Sequence, residues 1–250
     1  MRGDPAMITA IWATWMGALG LCVGSFLNVV VHRVPAGLSV VSPGSACPGC
    51  AHGIRARHNV PVLGWLALRG RCFDCGMPIS ARYPLVEAGT AVLFAAVVLR
   101  FPDQPRLWPA LLYVAAIGVA LTLIDLDVRR LPDAIVLPSY PALAVLLVLA
   151  GDAPALTRAL IGGLLLGAIY AAIALVSGAM GWGDVKLAGL LGAVLAYVSW
   201  EALILGGYLA FVLGAGVGIA LLVLGRAGRR TAVPFGPFMI GAVLLTLLAL

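Results

Sequence analysis

The chain has 250 residues, of which 62% are hydrophobic and only 10% are charged, and its mean hydropathy is +1.09. These values lie far outside the composition of soluble globular domains and indicate a protein that crosses a membrane several times. A net charge of +6 would suggest nucleic acid as the partner of a soluble chain, but here the basic residues lie in short loops between apolar runs, so we expect contact with membrane lipid and no nucleic acid.

Apolar runs long enough to cross a bilayer recur along the chain. They predict an all-α polytopic membrane protein with about eight transmembrane helices, near residues 8–31, 83–99, 107–124, 134–150, 159–176, 185–197, 202–224 and 233–250. The sixth run is the shortest. The first run is too long for the apolar part of a cleavable signal peptide, so we expect it to remain as a membrane span.

The distribution of basic residues predicts the orientation. If the first loop is cytoplasmic, twelve of the sixteen Lys and Arg residues lie on that side, including Arg226, Arg229 and Arg230. The other side then carries Arg2, Arg100, Arg106 and Arg158. Because positive charge is enriched in cytoplasmic loops, we expect both termini outside the cytoplasm.

The long polar segment 32–82 divides the chain into a first transmembrane helix (1–31), this cytoplasmic insertion, and the remaining transmembrane helices (83–250). The insertion contains two C-x-x-C pairs, and 21 residues separate the second Cys of one pair from the first Cys of the other. Two such pairs suit tetrahedral Zn²⁺, and the metal would replace the core that so short a segment lacks. The sequence therefore predicts a structural, zinc-ribbon-like site with the ligands Cys47, Cys50, Cys72 and Cys75. The alternative is a pair of disulfides or unused thiols.

Two other residues near these elements have simpler interpretations. Cys22 lies within the first span and is expected to be a small core residue, not a ligand. Glu87 lies near the start of the second span, where it would form a structural pair, for example with Arg82, or help to contact a substrate.

Acidic residues at two membrane edges are the candidates for chemistry. Asp125 follows a long apolar run and precedes Arg129 by about one helical turn, while Asp184 follows Gly181 and Gly183 in a G-x-G-D motif. The topology places both acids at the same depth on the cytoplasmic side. Glycines without a Cβ let the backbone unwind or another chain pass close by.

Paired carboxyl groups have more than one use in a membrane. If Asp125 and Asp184 share one site, only one of them ionises easily, which is the arrangement that aspartic proteases use to activate water. Alternatively, the acids form interface salt bridges with Arg129, Arg130 or Lys186, or line a cation or proton path in a transporter. Lys186 would either support the acid site or mark the cytoplasmic face. A third acid, Asp133, is predicted to cap the next helix.

With these motifs in place, the chain resembles the bacterial type IV prepilin leader peptidases, which are G-x-G-D aspartic intramembrane proteases. The similarity covers nearly the whole length, and Asp125 precedes Pro132 as in the first catalytic motif of the family. Other matching segments are GSFLNVVVHRVP at 24–35, HNVPVLGWL at 58–66, LRGRC at 68–72, RYPLVE at 82–87, GWGDVKL at 181–187 and PFGPF at 234–238. Trp182 is bulkier than expected within the G-x-G-D motif.

The resemblance implies an enzyme of the bacterial inner membrane with its active site at the cytoplasmic face. Such enzymes remove the basic leader from type IV prepilins or pseudopilins after a Gly, with Asp125 and Asp184 as the catalytic pair here. Many members also methylate the new N-terminus with S-adenosylmethionine. The chain shows no glycine-rich strand–helix motif for a methyl donor, which leaves segment 32–82 as the expected site. The alternatives are an ion or proton-coupled transporter and a non-catalytic assembly scaffold.

Overall fold

The computed structural model describes residues 4–178, 180–225 and 233–250. Several residues used in the sequence predictions lie outside these ranges, namely Arg2, Arg226, Arg229 and Arg230. Within the described ranges the regular secondary structure is helical, and β-structure is limited to two isolated antiparallel bridges.

Nine α-helices follow one another along the described chain. They are α1 (Pro5–Arg33), α2 (Leu63–Ala67), α3 (Arg82–Arg100), α4 (Trp108–Val128), α5 (Asp133–Ala150), α6 (Ala153–Ser177), α7 (Trp182–Val198), α8 (Trp200–Val223) and α9 (Gly236–Ala249). Each of the eight predicted apolar runs overlaps one of these helices. Six of these helices are long and apolar enough to cross a membrane, whereas α7 has 17 residues and α9 has 14. The predicted all-α, multi-pass membrane fold is therefore confirmed, and within the described residues six of the eight predicted spans have the length and hydropathy of a membrane-crossing helix.

The described chain forms two compact units. The first runs to Trp108 and includes Ala115–Ala120, and the second comprises Pro109–Val114 and Leu121–Leu250. In the first unit, α1 packs against α3 through glycines. A Cβ on Gly20 would lie 2.7 Å from the Cα of Ala91, and a Cβ on Gly24 would lie 2.7 Å from the Cα of Glu87. Small residues at this spacing allow close helix contact where lipid offers no hydrophobic drive for association.

The second unit is built around α7, which is buried along most of its length. Its Gly192 faces Gly162 of α6, where an added Cβ would lie 2.7 Å from the Gly162 carbonyl oxygen. Helices α5, α6, α8 and α9 also contact α7. Because α7 is enclosed by other helices, its short length does not expose an unsatisfied backbone to lipid.

Side-chain caps define where some of these helices begin. Asp152 accepts a hydrogen bond from the Ala155 N–H at the start of α6, and Ser199 accepts one from Ala202 at the start of α8. The predicted cap of α5 is wrong: Pro132 occupies the N-cap position and Asp133 is the first helical residue. Its carboxylate instead faces α7, as described below.

Candidate functional site

Asp125 lies in the last turn of α4 and is only 5% exposed. Its Oδ2 accepts a hydrogen bond from the backbone N–H of Gly236, at 3.0 Å, and this bond is buried. Gly236 is the first residue of α9, whose N-cap residue Phe235 offers no side-chain hydrogen bond. The Asp125 carboxylate therefore takes the place of a cap at the start of α9.

Asp184 lies in the first turn of α7, where Gly181 is the N-cap residue. The Asp184 N–H donates to the Gly181 carbonyl at 3.1 Å, and the side chain is half-buried. A Cβ on Gly181 would sit 3.4 Å from Asp184 Oδ2. The G-x-G-D motif thus forms a helix N-terminus that has no side-chain cap, and the Asp184 carboxyl group lies beside the N-cap residue Gly181.

The structure brings Asp125 and Asp184 together, since their carboxyl groups lie close enough to interact electrostatically. Leu131 lies between the start of α7, which carries Asp184, and the start of α9, which contacts Asp125. Added Cβ atoms on Gly183 and Gly236 would lie 3.1 Å from Leu131 Cβ and 3.2 Å from Leu131 Cδ2, respectively. The α4–α5 connection therefore packs against the beginnings of both α7 and α9, which explains how acids distant in sequence meet.

An aromatic cluster borders the acid pair. Tyr170 of α6 is 1% exposed and interacts electrostatically with Asp184. Its ring centroid lies 5.3 Å from that of Phe211 and 6.2 Å from that of Phe235. Tyr170 was missed by the sequence reasoning, because a single tyrosine in an apolar run resembles any core aromatic residue.

Lys186 forms a salt bridge with Asp133 on α5. Its Nζ donates to Oδ1 at 2.8 Å and to Oδ2 at 2.9 Å. Nearby, the Tyr140 hydroxyl donates to the Lys186 carbonyl oxygen at 2.6 Å. These contacts link α5 to α7 one half-turn beyond Asp184, so Lys186 contributes to holding the segment that carries the acid.

Trp182 is the first residue of α7 and is 57% exposed. Its side chain therefore lies on the surface of the second unit. The exposure is compatible with the position of an interfacial aromatic residue in a membrane protein.

The four cysteines of segment 32–82 also come together. Their Sγ atoms all lie within 4.8 Å of one another, and the Cys47 and Cys75 sulfurs are 3.7 Å apart. A tetrahedron with Zn–S bonds of about 2.3 Å has edges of about 3.8 Å. All five cysteines of the chain are free thiols, so the disulfide alternative is not what the structure shows. The cluster fits a four-coordinate metal ion.

The two halves of the cluster share one local geometry. The Cys47 N–H donates to the His52 carbonyl at 2.9 Å, and the Cys72 N–H donates to the Met77 carbonyl at 2.8 Å. An antiparallel bridge closes each turn, Ala46 with Gly53 and Arg71 with Pro78. Each pair of sulfurs is therefore presented by a tight turn that is formed by its own backbone hydrogen bonds.

Backbone dipoles in these turns act on the thiols. The N–H groups of Cys50 and Gly49 lower the pKa of Cys47 to about 7. At Cys50 the N–H of His52 also lowers the pKa, but burial and the neighbouring sulfurs outweigh it and raise the pKa to about 12. The Cys47 thiolate therefore forms more readily than the Cys50 thiolate, and a bound cation would favour loss of the proton from the remaining thiols.

Cys22 lies outside the cluster and is exposed. The prediction that it is a core residue is therefore wrong. The apolar run that contains it is a single helix whose surface is largely uncovered by other parts of the described chain, so membership of an apolar run does not imply burial within the protein.

A cavity of about 1100 Å³ opens in the first unit, beside the Cys cluster. Its lining includes cationic, aromatic and acidic side chains, among them Arg33, His58, Trp65, Tyr83 and Glu87. Glu87 is 8% exposed and accepts a hydrogen bond of 2.6 Å from the Val62 N–H. Glu87 thus contacts the backbone at the start of α2, a contact that the sequence did not reveal.

Comparison with known proteins identifies both parts of the chain. Residues 18–101 match the bacterial peptidase A24 N-terminal domain, and residues 111–219 match the type IV leader peptidase family. No solved structure matches the chain.

Three relatives are each named prepilin leader peptidase/N-methyltransferase. The protein from Myxococcus xanthus is 44% identical over 91% of this chain and 68% of its own length. The relative from Pseudomonas putida is 41% identical over 94% of this chain and 89% of its own length. The relative from Aeromonas hydrophila is 39% identical over 88% of this chain and 84% of its own length. The order of the motifs, the convergence of the two acids and these similarities agree. The chain belongs to the type IV leader peptidase family.

Proposed function

We propose that this chain is a membrane-embedded aspartic endopeptidase that removes the basic leader from type IV prepilins or pseudopilins, cutting after a Gly residue. The observation that carries the proposal is the proximity of Asp125 and Asp184, whose carboxyl groups interact electrostatically within one unit of a multi-pass membrane protein. The name shared by the relatives supports the same reaction.

Hydrolysis by such a pair needs one proton between two carboxyl groups, because both cannot ionise cheaply at short range. The ionised member takes a proton from water as the water oxygen attacks the scissile carbonyl carbon, while the protonated member donates to the carbonyl oxygen. Breakdown of the tetrahedral intermediate cleaves the C–N bond, and a proton passes to the leaving amine. The pair titrates as a unit, so either Asp125 or Asp184 can begin as the acid.

The expected location is the bacterial inner membrane, with the acid pair at the cytoplasmic face. The excess of basic residues in the loops on the Asp125 and Asp184 side supports this orientation. A basic leader would stay in the cytoplasm for the same electrostatic reason. The cleavage site would then lie where the leader meets the apolar segment of the substrate.

The Cys cluster is proposed to hold a structural Zn²⁺ ion. Its sulfur separations fit tetrahedral coordination, and Cys47, Cys50, Cys72 and Cys75 supply all four ligands. A site with four thiolate ligands keeps no open position for water. The metal would therefore stabilise the fold of segment 32–82 and take no part in hydrolysis.

The second activity named for the relatives, N-methylation, is proposed to use the cavity of the first unit. S-adenosylmethionine carries an adenine ring, a carboxylate and a sulfonium cation, and when bound it supplies an electrophilic methyl group. The cavity offers matching partners in the rings of Trp65 and Tyr83, the cation of Arg33 and the carboxylate of Glu87. These residues would bind and orient the donor.

Co-expression with a prepilin tests both activities in one sample. The mass of the pilin N-terminal peptide reports leader loss and, separately, the addition of one methyl group. We expect both with the native chain. Asp125→Asn and Asp184→Asn should each reduce leader removal by about 1000-fold or more, as expected for members of one catalytic unit, while the protein still inserts. Asp103→Asn, at an exposed position in the loop before α4, is the matched control and should process prepilin at close to the native rate.

The outcomes separate the alternatives. Normal processing by either Asp125→Asn or Asp184→Asn would refute the acid pair. A transporter would instead show ion flux in proteoliposomes, lost in the same variants, with no cleavage. A scaffold would tolerate both Asp substitutions and fail only when the cysteines are replaced.

A further inference from the structure

The PFGPF segment at 234–238 is a sequence motif to which the reaction described above assigns no task. In the structure it forms the start of α9, where Pro237 carries no N–H and the Phe238 N–H donates to the Phe235 carbonyl oxygen at 3.0 Å. The Gly236 N–H has no acceptor in the preceding turn of the helix. It donates to Asp125 Oδ2 at 3.0 Å in a buried position. The motif therefore contacts one of the two acids directly.

Residue 236 must be a glycine because the neighbouring side chains leave no room for a Cβ, not because of its backbone conformation. A Cβ added there would lie 2.8 Å from Asp125 Oδ2 and 3.2 Å from Leu131 Cδ2. The first distance is shorter than real Cβ contacts allow, so any larger residue would push the carboxylate away. Pro237 follows within the first turn, where it has no N–H to contribute and favours the start of a helix.

Electrostatics favour the same contact. The N-terminus of a helix carries a partial positive charge, and a hydrogen bond from a backbone N–H to a carboxylate is stronger than one between neutral groups. The bond is also sheltered from water, because Asp125 is 5% exposed. A single backbone donor can therefore fix the orientation of this carboxyl group.

We propose that Gly236 is a positioning residue for leader cleavage, whose backbone N–H holds Asp125 by Oδ2 and leaves the other carboxyl oxygen to act on water. This inference rests on the proposed function of the acid pair. It assigns the PFGPF segment to the active site as a third component, beside the two aspartate motifs.

The test is the cleavage kinetics of Gly236→Ala in detergent or proteoliposomes with purified prepilin. We expect kcat to fall about 100-fold, the size of effect that a displacement of about 1 Å produces in a catalytic group, while KM changes by less than about twofold. Gly241→Ala is the matched control on the same helix, because a Cβ there meets nothing within 4 Å. It should keep the native kcat.

A second variant separates positioning from packing. Leu131→Ala removes one of the two contacts that a Cβ at residue 236 would make. If the kcat of the Gly236→Ala/Leu131→Ala double variant returns to that of Leu131→Ala alone, the defect is a packing clash and the proposal is overturned. If kcat stays low, the contact with Asp125 is responsible. The double variant also serves as the test protein should Gly236→Ala fail to accumulate.

Two results distinguish the positioning role of Gly236 from the role of the acid pair. If Asp125→Asn is inactive while Gly236→Ala and Gly241→Ala have equal kcat, only the positioning role falls. If Asp125→Asn cleaves at the native rate, the acid pair itself is wrong and the role of Gly236 falls with it.

Discussion

The Cys cluster and the acid pair are assembled in opposite ways. The four cysteines come from two tight turns within one polar segment of the first unit. The acid pair takes Asp125 from the end of α4 and Asp184 from the start of α7, and a backbone N–H from the start of α9 supports it. The Cys cluster is determined by the local spacing of its residues, whereas the acid pair forms only after several helices have packed.

This difference has a physical cause. A turn closed by its own backbone hydrogen bonds presents two sulfurs wherever it is placed, and the metal then joins two such turns. A carboxyl group at a membrane edge needs neighbours that share its proton or hydrogen-bond its charge. The acid pair therefore depends on close helix approach at Gly183 and Gly236, beside Leu131.

The largest expected effect tests whether the Cys cluster can fail while the acid pair persists. Cys47→Ser with Cys72→Ser removes one ligand from each turn and should lower bound zinc from about one equivalent to below about 0.1 per chain, because two remaining thiolates bind the metal weakly. Metal analysis of the purified protein measures this loss.

In the same variant, leader removal should continue at a measurable rate and methylation should be lost, since the cavity borders the cluster. Asp184→Asn is the reciprocal control and should keep its full zinc content. Loss of zinc from Asp184→Asn would show that the two sites do not form independently.

Substitution of Glu87, which belongs to the same unit as the Cys cluster, is expected to have a smaller effect on methylation. Glu87→Gln removes the charge but keeps an oxygen that can accept from the Val62 N–H. Methylation should fall about 10-fold, as for loss of one charged hydrogen-bonding contact, while leader removal stays native. In the mass spectrum of the pilin N-terminal peptide, the unmethylated and methylated peaks report leader removal and methylation separately.

Glu87→Ala provides the structural comparison. It leaves the Val62 N–H without its partner and should lower the free energy of unfolding of the first unit by about 1–3 kcal/mol. If Glu87→Gln methylates normally and only Glu87→Ala is impaired, Glu87 is a purely structural residue.

The same contrast decides what the sequence could predict. Apolar runs locate the helices because length and hydropathy act locally, and the C-x-x-C spacing predicts the sulfur cluster because each turn is local. The sequence also places Asp125 and Asp184 at one depth. It does not indicate Gly236 as a donor, since every residue except proline carries a backbone N–H and only packing selects one of them.

The sequence also does not predict side-chain contacts between residues on different helices, because packing determines these contacts. Asp133 precedes an apolar run and therefore looks like a helix cap, but the folded chain places Lys186 beside it. The Glu87 contact with Val62 joins residues of one unit that are 25 positions apart. Cys22 is apolar in context yet exposed, because in a membrane protein an apolar surface can face lipid instead of a core.

A modest effect is expected for the salt bridge beside the acid pair. Lys186 and Asp133 are both partly exposed, with side-chain exposures of 37% and 54%, so the pair should contribute only about 0.2–1 kcal/mol. Lys186→Met should therefore reduce kcat for leader removal by about threefold. Asp133→Asn should have a similar effect, and the double variant should be no worse than either single variant. A loss beyond about 100-fold in Lys186→Met alone would mean that Lys186 acts on the reacting groups directly.

The smallest expected effect compares the two halves of the Cys cluster. The residue after the second cysteine is Ala51 in one turn and Gly76 in the other, and both have positive φ, 57° and 72°. Left-handed backbone strains a residue with a Cβ by about 1–2 kcal/mol, whereas glycine adds about 0.5–1 kcal/mol of unfolded-state entropy. Ala51→Gly should therefore slow zinc release to a chelator by about twofold, a net gain of about 0.5 kcal/mol, and Gly76→Ala should accelerate it. Faster release from Ala51→Gly would show that the first turn is held by contacts beyond its own backbone, and the two halves would no longer be equivalent.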